Sequence, residues 1–335
     1  MFDKTEKEVM DEWKGDIKNP AVSIVCATYN HEEYISEALD GFLMQKTDFP
    51  FEILIGEDCS TDRTRQVVME YHRNFPNIIK PIFWKVNVGA GKNWCSLLNA
   101  ARGKYIANCE GDDFWTNEKK LQTQVDDFLK HPEYKLSFHA CSQLSNDGSL
   151  VKPKLMKMKK FYSVQDVING HFHLLQTNTL VFRRNILDNL SMDLLRNSPV
   201  GDVWIRTAAA IPNGAIYTNR DMSVYRIHSN GSWSSSMIDS KQFLIFVARM
   251  LQSIDDFDSY WEFKYTKEFH AYKNNFIKSV YRNSRLTVED RAIFLEKNSS
   301  FVTVVDKLKW SFLYKHSVLI SFLSKVKAGF IKTIV

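Results

Sequence analysis

Tyr105-Ile-Ala-Asn-Cys runs into Glu110-Gly-Asp-Asp, so a hydrophobic stretch delivers three carboxylates, Glu110, Asp112 and Asp113, within four residues. Carboxylates this close repel one another unless a cation lies among them. Hard oxygen ligands suit Mn2+ or Mg2+, and Mg2+ commonly takes one or two carboxylates together with phosphate oxygens. A solvated acidic turn with helix-capping aspartates is the alternative, and the residues alone do not separate the two. Glu57-Asp58-Cys59-Ser60 is a second acidic strand end. A carboxylate there can accept a hydrogen bond from a nucleobase N–H or a ribose hydroxyl, or Asp58 or Ser60 simply caps the next helix. In Ser198-Pro-Val-Gly-Asp-Val-Trp, Asp202 opens an apolar segment, as a general base or as a helix N-cap. Tyr225-Arg-Ile-His offers His228 to a phosphate or metal, and His171 and His173 would share one face of a strand without a third ligand.

The elements that must carry these groups follow from periodicity. Val22-Ser-Ile-Val-Cys-Ala, the segment from Glu52, Pro81-Ile-Phe-Trp-Lys-Val and the segment from Lys104 read as four strands. Between and after them, Ile35/Leu39/Phe42/Leu43, Val67/Val68/Tyr71, Trp94/Leu97/Leu98/Ala101 and Leu121/Val125/Phe128/Leu129 recur at helical spacing. Strands alternating with helices predict right-handed βαβ units, a mostly parallel sheet and ligand binding beyond the strands' carboxyl ends. After residue 135 the pattern loosens; strands are expected over 135–141, 179–182 and 222–227, and an exposed loop over 152–160. From Lys241 the chain reads as helical, which places a domain boundary near residue 236.

Composition excludes several classes. The 335 residues are 44% hydrophobic and 25% charged, an ordinary globular balance. Of the net charge of +5, all resides in residues 301–335, which hold six lysines and one acid. The preceding 300 residues are neutral, which argues against a general nucleic-acid binder. Five cysteines without a Cys-x-x-Cys pair suit a reducing compartment, and no apolar run reaches the roughly 20 residues of a membrane span. A cytoplasmic protein is expected. In the tail, Leu308, Phe312, Leu319, Phe322, Leu323 and Val326 share a helical face. Two occupants suit it: an anionic membrane surface on the inner face of the cell membrane, or protein, either this domain or a second copy in a homo-oligomer. Gly89-Ala-Gly-Lys92 lacks the other residues of a phosphate loop, and Gly-x-Gly-x-x-Gly, His-Glu-x-x-His and Gly-x-Ser-x-Gly are absent.

Taken in order, these segments resemble the family 2 glycosyltransferases of the GT-A fold. Val22 to Asn30 resembles that family's first strand and Thr-Tyr-Asn turn, and Ile53-Leu-Ile-Gly-Glu-Asp-Cys-Ser-Thr-Asp-Arg-Thr its Val-Asp-Asp-Gly-Ser-x-Asp-x-Thr segment. Asn87-Val-Gly and Ala101-Arg-Gly-Lys-Tyr-Ile lead to Glu110-Gly-Asp-Asp, which stands for the DXD element, and Gly201-Asp202 and Tyr225-Arg-Ile-His resemble later motifs. The resemblance implies an α/β GT-A domain over 20–235, preceded by a lead-in (1–19) and followed by a helical C-terminal region (236–335). It implies that Thr28, Tyr29, Asn30, Asp58, Lys92 and Asp112 bind a nucleoside-diphosphate sugar, expected to be a UDP-sugar. It further implies that Asp112 and Asp113 hold Mn2+ or Mg2+, with Glu110 beside them directly or through water, and that Asp202 is the catalytic base. Glu110 departs from the usual first Asp, and Glu57-Asp58-Cys59 from Asp-Asp-Gly. The expected reaction is metal-dependent inverting transfer to a hydroxyl of a saccharide or lipid-linked acceptor, in cell-surface polysaccharide or lipopolysaccharide assembly.

Two other classes compete. A nucleotidyltransferase also uses an α/β sheet and a metal but carries a basic glycine-rich loop after the first strand, where this chain has Thr28-Tyr-Asn-His-Glu-Glu. A non-catalytic sugar-nucleotide-binding protein would have no need of Asp58, Asp112, Asp113 and Asp202 together.

Overall fold

The computed structural model describes residues 2–155, 160–169, 175–227, 229 and 237–298. The strands are β1 (Val22–Thr28), β2 (Phe51–Glu57), β3 (Ile79–Phe83), β4 (Tyr105–Asn108), β5 (Phe114–Trp115), β6 (Leu136–Ser145), β7 (Leu150–Val151), β8 (Phe161–Tyr162), β9 (Val181–Arg183) and β10 (Ala215–Ile227). The helices are α1 (Glu6–Met10), α2 (Ile35–Leu43), α3 (Thr64–Asn74), α4 (Ala90–Ala100), α5 (Lys120–Lys130), α6 (Val164–Asn169), α7 (Met192–Asn197), α8 (Gly201–Ala210), α9 (Ser240–Tyr260), α10 (Thr266–Arg282) and α11 (Val288–Lys297).

One sheet runs β3-β2-β1-β4-β9-β6-β10-β5, with β7 on β6 and β8 on β10. The expected parallel sheet holds for β3, β2, β1 and β4, whose strands are all parallel. Beyond β4 the sheet is mixed, because β9 enters antiparallel between β4 and β6. Parallel strands covered on both faces need apolar side chains throughout. β1 meets this need: Val22, Ile24 and Cys26 belong to one buried cluster with residues of α2, α3 and α5, and Val25 to a second with residues of α4 and α8. Its amino end is fastened by buried Glu52, which accepts from the Ser23 hydroxyl at 2.7 Å and from Arg102 Nε at 3.0 Å. Gly103 allows the chain to pass there; a Cβ would lie 2.5 Å from the Ser23 nitrogen.

The expected boundary near residue 236 does not divide the core. Met250, Ile254 and Phe257 of α9 and Phe269 and Tyr272 of α10 share one buried cluster with Phe138, Trp204 and Ile106. Trp204 stacks on Phe257 with centroids 4.0 Å apart. The lead-in is also bound: Val9 is buried and Trp13 meets Phe51 edge-on at 4.9 Å. Leu129, expected in the core, is 66% exposed because the apolar stripe of α5 ends with Phe128. Among the described residues no helix is long and apolar enough to cross a membrane. The expectations for His171, His173 and His228 and for the tail 301–335 lie outside the described residues.

Candidate active site

β1 and β2 end in register, Thr28 opposite Glu57. β4 is one strand away, and its continuation stays beside β1: Cys109 N–H donates to the Val25 carbonyl and Gly111 N–H to that of Ala27, both at 3.1 Å. The acidic turn is thereby laid against the Thr28 turn. Only glycine fits at position 111, since a Cβ would sit 2.6 Å from Thr28 Oγ1 and 2.9 Å from His31 Nδ1. Thr28 Oγ1 and His31 Nδ1 are themselves 3.2 Å apart. Burial holds the His31 imidazole below its ordinary pKa despite the nearby Asp112.

The turn then enters β5, which pairs antiparallel with β10. That pairing brings Arg226 over the acids. Its backbone N–H donates to Asp113 Oδ1 at 2.8 Å and its Nη1 to the Asp112 carbonyl at 2.6 Å. The guanidinium lies 4.9 Å from the Tyr34 ring and 4.6 Å from that of Phe114, and ion-pairs with Glu37. Ser229 donates its hydroxyl to Asp112 Oδ2 at 2.7 Å.

Asp202 reaches the same place from the first turn of α8. The Thr177 side chain, at the start of a 3-10 turn (Thr177–Thr179), lies near both Glu110 and Asp202 and favours the ionised form of each. The turn is locked by Asn178, which donates to the Val224 carbonyl at 2.9 Å and accepts at its own carbonyl from Trp115 Nε1 at 3.0 Å. Gly201 lets α8 start close to Trp94 of α4; a Cβ there would be 2.6 Å from the indole. Glu110 and Asp202, more than 90 residues apart in the chain, are therefore near enough for their charges to act on one another. Burial, then Asp112 and Asp202, raise the Glu110 carboxyl to about 8. Burial also raises Asp202, over the opposing charge of Arg206. Tyr225 faces all four acids, and burial and their charge push its phenol upward.

The expected roles divide on this geometry. Asp113 is buried, with Oδ1 on the Arg226 amide and Oδ2 without a hydrogen-bond partner among the described residues. Burial, then Asp112 and Glu110, raise it well above the carboxylate range. Among the described residues no three His, Cys, Asp or Glu side chains are placed to share one metal ion. Glu110, Asp112 and Asp113, the expected trio, lie near enough to repel one another, with Asp113 Oδ1 engaged by the Arg226 amide of β10. A divalent ion fits at Asp112, backed by Ser229: one carboxylate plus diphosphate oxygens is a sufficient set, and the mutual repulsion of Glu110, Asp112 and Asp202 favours a cation.

Asp58 lies under the site. It is 2% exposed, and its two oxygens accept from Val88 N–H at 2.7 Å and Gly89 N–H at 2.9 Å. Both oxygens thus brace the loop before α4, where a direct nucleotide contact was expected. Asn30, at φ 54°, accepts from Thr61 N–H at 2.9 Å and so joins the two turns. Tyr29 is 37% exposed at the rim, and exposed Lys92 places its Nζ 5.4 Å from the Trp84 ring. Thr177, Tyr225, Arg226 and Ser229 escaped the sequence reading. Only Tyr225-Arg226 had a signal, a motif read there for its histidine.

Residues 23–191 match Glycosyl transferase family 2. The chain belongs to that family. An uncharacterized protein of Mycobacterium tuberculosis (strain ATCC 25618 / H37Rv) is 37% identical over 225 residues, covering 66% of this chain but only 63% of that relative's own length. The putative teichuronic acid biosynthesis glycosyltransferase TuaG of Bacillus subtilis (strain 168) is 25% identical over 256 residues, 76% of this chain and 95% of TuaG. The Staphylococcus aureus TarS structure in complex with UDP superposes with a TM-score of 0.55 at 17% identity, covering 89% of this chain and 91% of that one. The mannosyltransferase PcManGT of Pyrobaculum calidifontis, in complex with GDP-Man and Mn2+, does so with a TM-score of 0.51 at 15% identity, covering 93% and 90%. These superpositions establish the GT-A fold, whose sheet is the mixed one described above.

Proposed function

We propose that the protein is a metal-dependent inverting glycosyltransferase that moves a sugar from a nucleoside-diphosphate donor, a UDP-sugar, to a hydroxyl of a saccharide or lipid-linked acceptor in cell-surface polysaccharide synthesis. The proximity of Glu110 both to Asp112 and to Asp202 carries this reading. The teichuronic acid assignment in the name of TuaG and the UDP held by TarS support the setting and the donor class.

Asp112 and its Ser229 partner would hold Mn2+ or Mg2+, which neutralises charge growing on the departing diphosphate. Thr28, Tyr29 and Asn30 line the turn against which the nucleotide lies, and Asp58 shapes that wall by fixing Val88 and Gly89. Asp202 takes the acceptor hydroxyl's proton as its oxygen forms a bond to the anomeric carbon. The bond from that carbon to the diphosphate oxygen breaks on the opposite face, so the configuration inverts. Burial keeps Asp202 a stronger base than a solvated aspartate.

The test is release of nucleoside diphosphate from UDP-GlcNAc, UDP-glucose and GDP-mannose with Mn2+ and candidate acceptors, repeated with Asp202→Asn. The expected result is acceptor-dependent release that Asp202→Asn abolishes while donor affinity stays unchanged. Transfer that survives Asp202→Asn would refute the assignment of the base.

A further inference from the structure

Beyond the acidic turn lies a lysine that the proposed reaction does not use. Lys120, the first residue of α5, is fully buried, and among the described residues no carboxylate pairs with it. Burial holds its amine down at about 7, as expected of an ammonium without a counter-ion. An apolar side chain of the same length would avoid the cost of burying it, so what the amine contributes lies in its contacts. Its Nζ is 4.0 Å from the centroid of the Trp115 ring and donates to Gln124 Oε1 at 2.8 Å, one helical turn along α5. An amide whose oxygen is engaged in this way turns its nitrogen to the other side. Gln124 Nε2 accordingly donates to the Thr179 carbonyl at 3.0 Å and to Ser137 Oγ at 3.3 Å. Trp115 Nε1 donates to the neighbouring Asn178 carbonyl at 3.0 Å. Two successive carbonyls of the 3-10 turn are thus gripped by side chains that meet at one amine.

We propose that Lys120 is a positioning residue for the active site: its amine sets the Gln124 amide and the Trp115 ring, and these fix the 177–179 turn against the acidic turn. Both turns are tied to this network through the chain itself. The Leu180 carbonyl, directly after the 3-10 turn, accepts from Asn108 N–H at 3.1 Å, two residues before Glu110. Trp115 is two residues beyond Asp113, on the strand that leaves the acidic turn. At the other end of the 3-10 turn, Thr177 lies near Glu110 and Asp202. Lys120 therefore acts through Trp115 and Gln124. Its role in catalysis rests on the reading of these acids as the reaction centre; its anchoring of the turn does not.

The test is amide hydrogen exchange, followed by NMR in 15N-labelled protein without substrate, in Lys120→Met and Gln124→Glu. Lys120→Met keeps an unbranched side chain and removes the donor; Gln124→Glu keeps the acceptor for Lys120 and removes the donor to Thr179. The probes are the Trp115 indole N–H and the backbone amides of Thr179 and Leu180, which donate to the Gln176 and Thr177 carbonyls at 3.0 and 3.2 Å. In Lys120→Met all three should exchange about tenfold faster or more while the amides of β1 keep their rates, a local opening rather than a global one. The melting temperature should hold or rise, because an uncompensated buried charge is gone. Gln124→Glu should open Thr179 and Leu180 in the same way. With an active donor from the panel above, kcat should fall about tenfold or more in both variants while donor KM stays within about twofold. Unmoved exchange at the turn, or equal acceleration in β1, overturns the inference, as does an unchanged kcat in a variant whose turn has opened. If Lys120→Met fails to fold, Gln124→Glu, which exchanges one nitrogen for an oxygen, decides alone. Exchange needs no substrate, so the two readings fail separately. Absence of transfer from every donor refutes the proposed reaction, whereas unmoved exchange in an active enzyme refutes only the role of Lys120.

Discussion

Asp58→Asn is a stringent probe of how the loop before α4 is held. The carboxylate has one oxygen on Val88 N–H and the other on Gly89 N–H. An asparagine keeps one acceptor and turns an amide donor toward the second N–H. The shorter contact, to Val88, should keep the oxygen, because Gly89 N–H has another acceptor in Asn87 Oδ1 at 3.1 Å. The net loss is then one hydrogen bond to a charged acceptor, about 2 kcal/mol, or roughly a thirtyfold shift in the folding equilibrium. Asp58→Ala strands the Val88 amide as well and should cost about 3–5 kcal/mol. Urea unfolding reads both values as a lower midpoint with an unchanged slope. Hydrogen exchange separates the two amides: in Asp58→Asn, Gly89 should lose protection while Val88 keeps it. A cost below about 0.5 kcal/mol, or equal loss at both amides, would refute the brace.

Three further outcomes follow from the site. Gly111→Ala forces a Cβ within 2.6 Å of Thr28 Oγ1, and should destabilise by about 1–3 kcal/mol and lower kcat, read by thermal melts and turnover; a neutral variant would contradict the close approach. Glu110, with a folded pKa of about 8 against 4.5 for a free glutamate, contributes stability that is complete below 4.5 and is lost as pH rises through 8. The metal-free protein should therefore unfold more readily at pH 8.5 than at pH 6, Glu110→Gln should flatten that dependence, and an identical slope in the variant would count against the burial of this carboxyl. Ser229→Ala, which removes the hydroxyl on Asp112, should weaken Mn2+ binding in the presence of UDP by roughly tenfold, measured by calorimetry, and Asp112→Asn by more; equal affinities would move the ion elsewhere.

The half of the site built on β1, β2 and β4 was legible because each strand is a buried apolar run, and β2 and β4 run into acids. The other half was hidden. Val181–Arg183 pairs with Tyr105–Ala107 across more than 70 residues, and no local pattern announces an antiparallel strand inserted there. Thr177, Tyr225 and Arg226 matter through what folding sets beside them, and their residue types carry no signature. Asp113 illustrates the converse: sequence adjacency to Asp112 suggested a shared ligand, while the β5–β10 pairing sends the two side chains to different partners. The boundary near residue 236 follows a true change of composition that burial ignores.

That shared core limits how this chain can be recombined with its relatives. With Trp204 of α8 stacked on Phe257 of α9, and Trp261 on Phe269 of α10 at 5.8 Å, a crossover near residue 236 would import foreign helices against a surface shaped for these rings. Chimeras joined there should inherit a loosened α8, and a new acceptor preference is more readily acquired by grafting surface loops than by exchanging carboxyl-terminal halves.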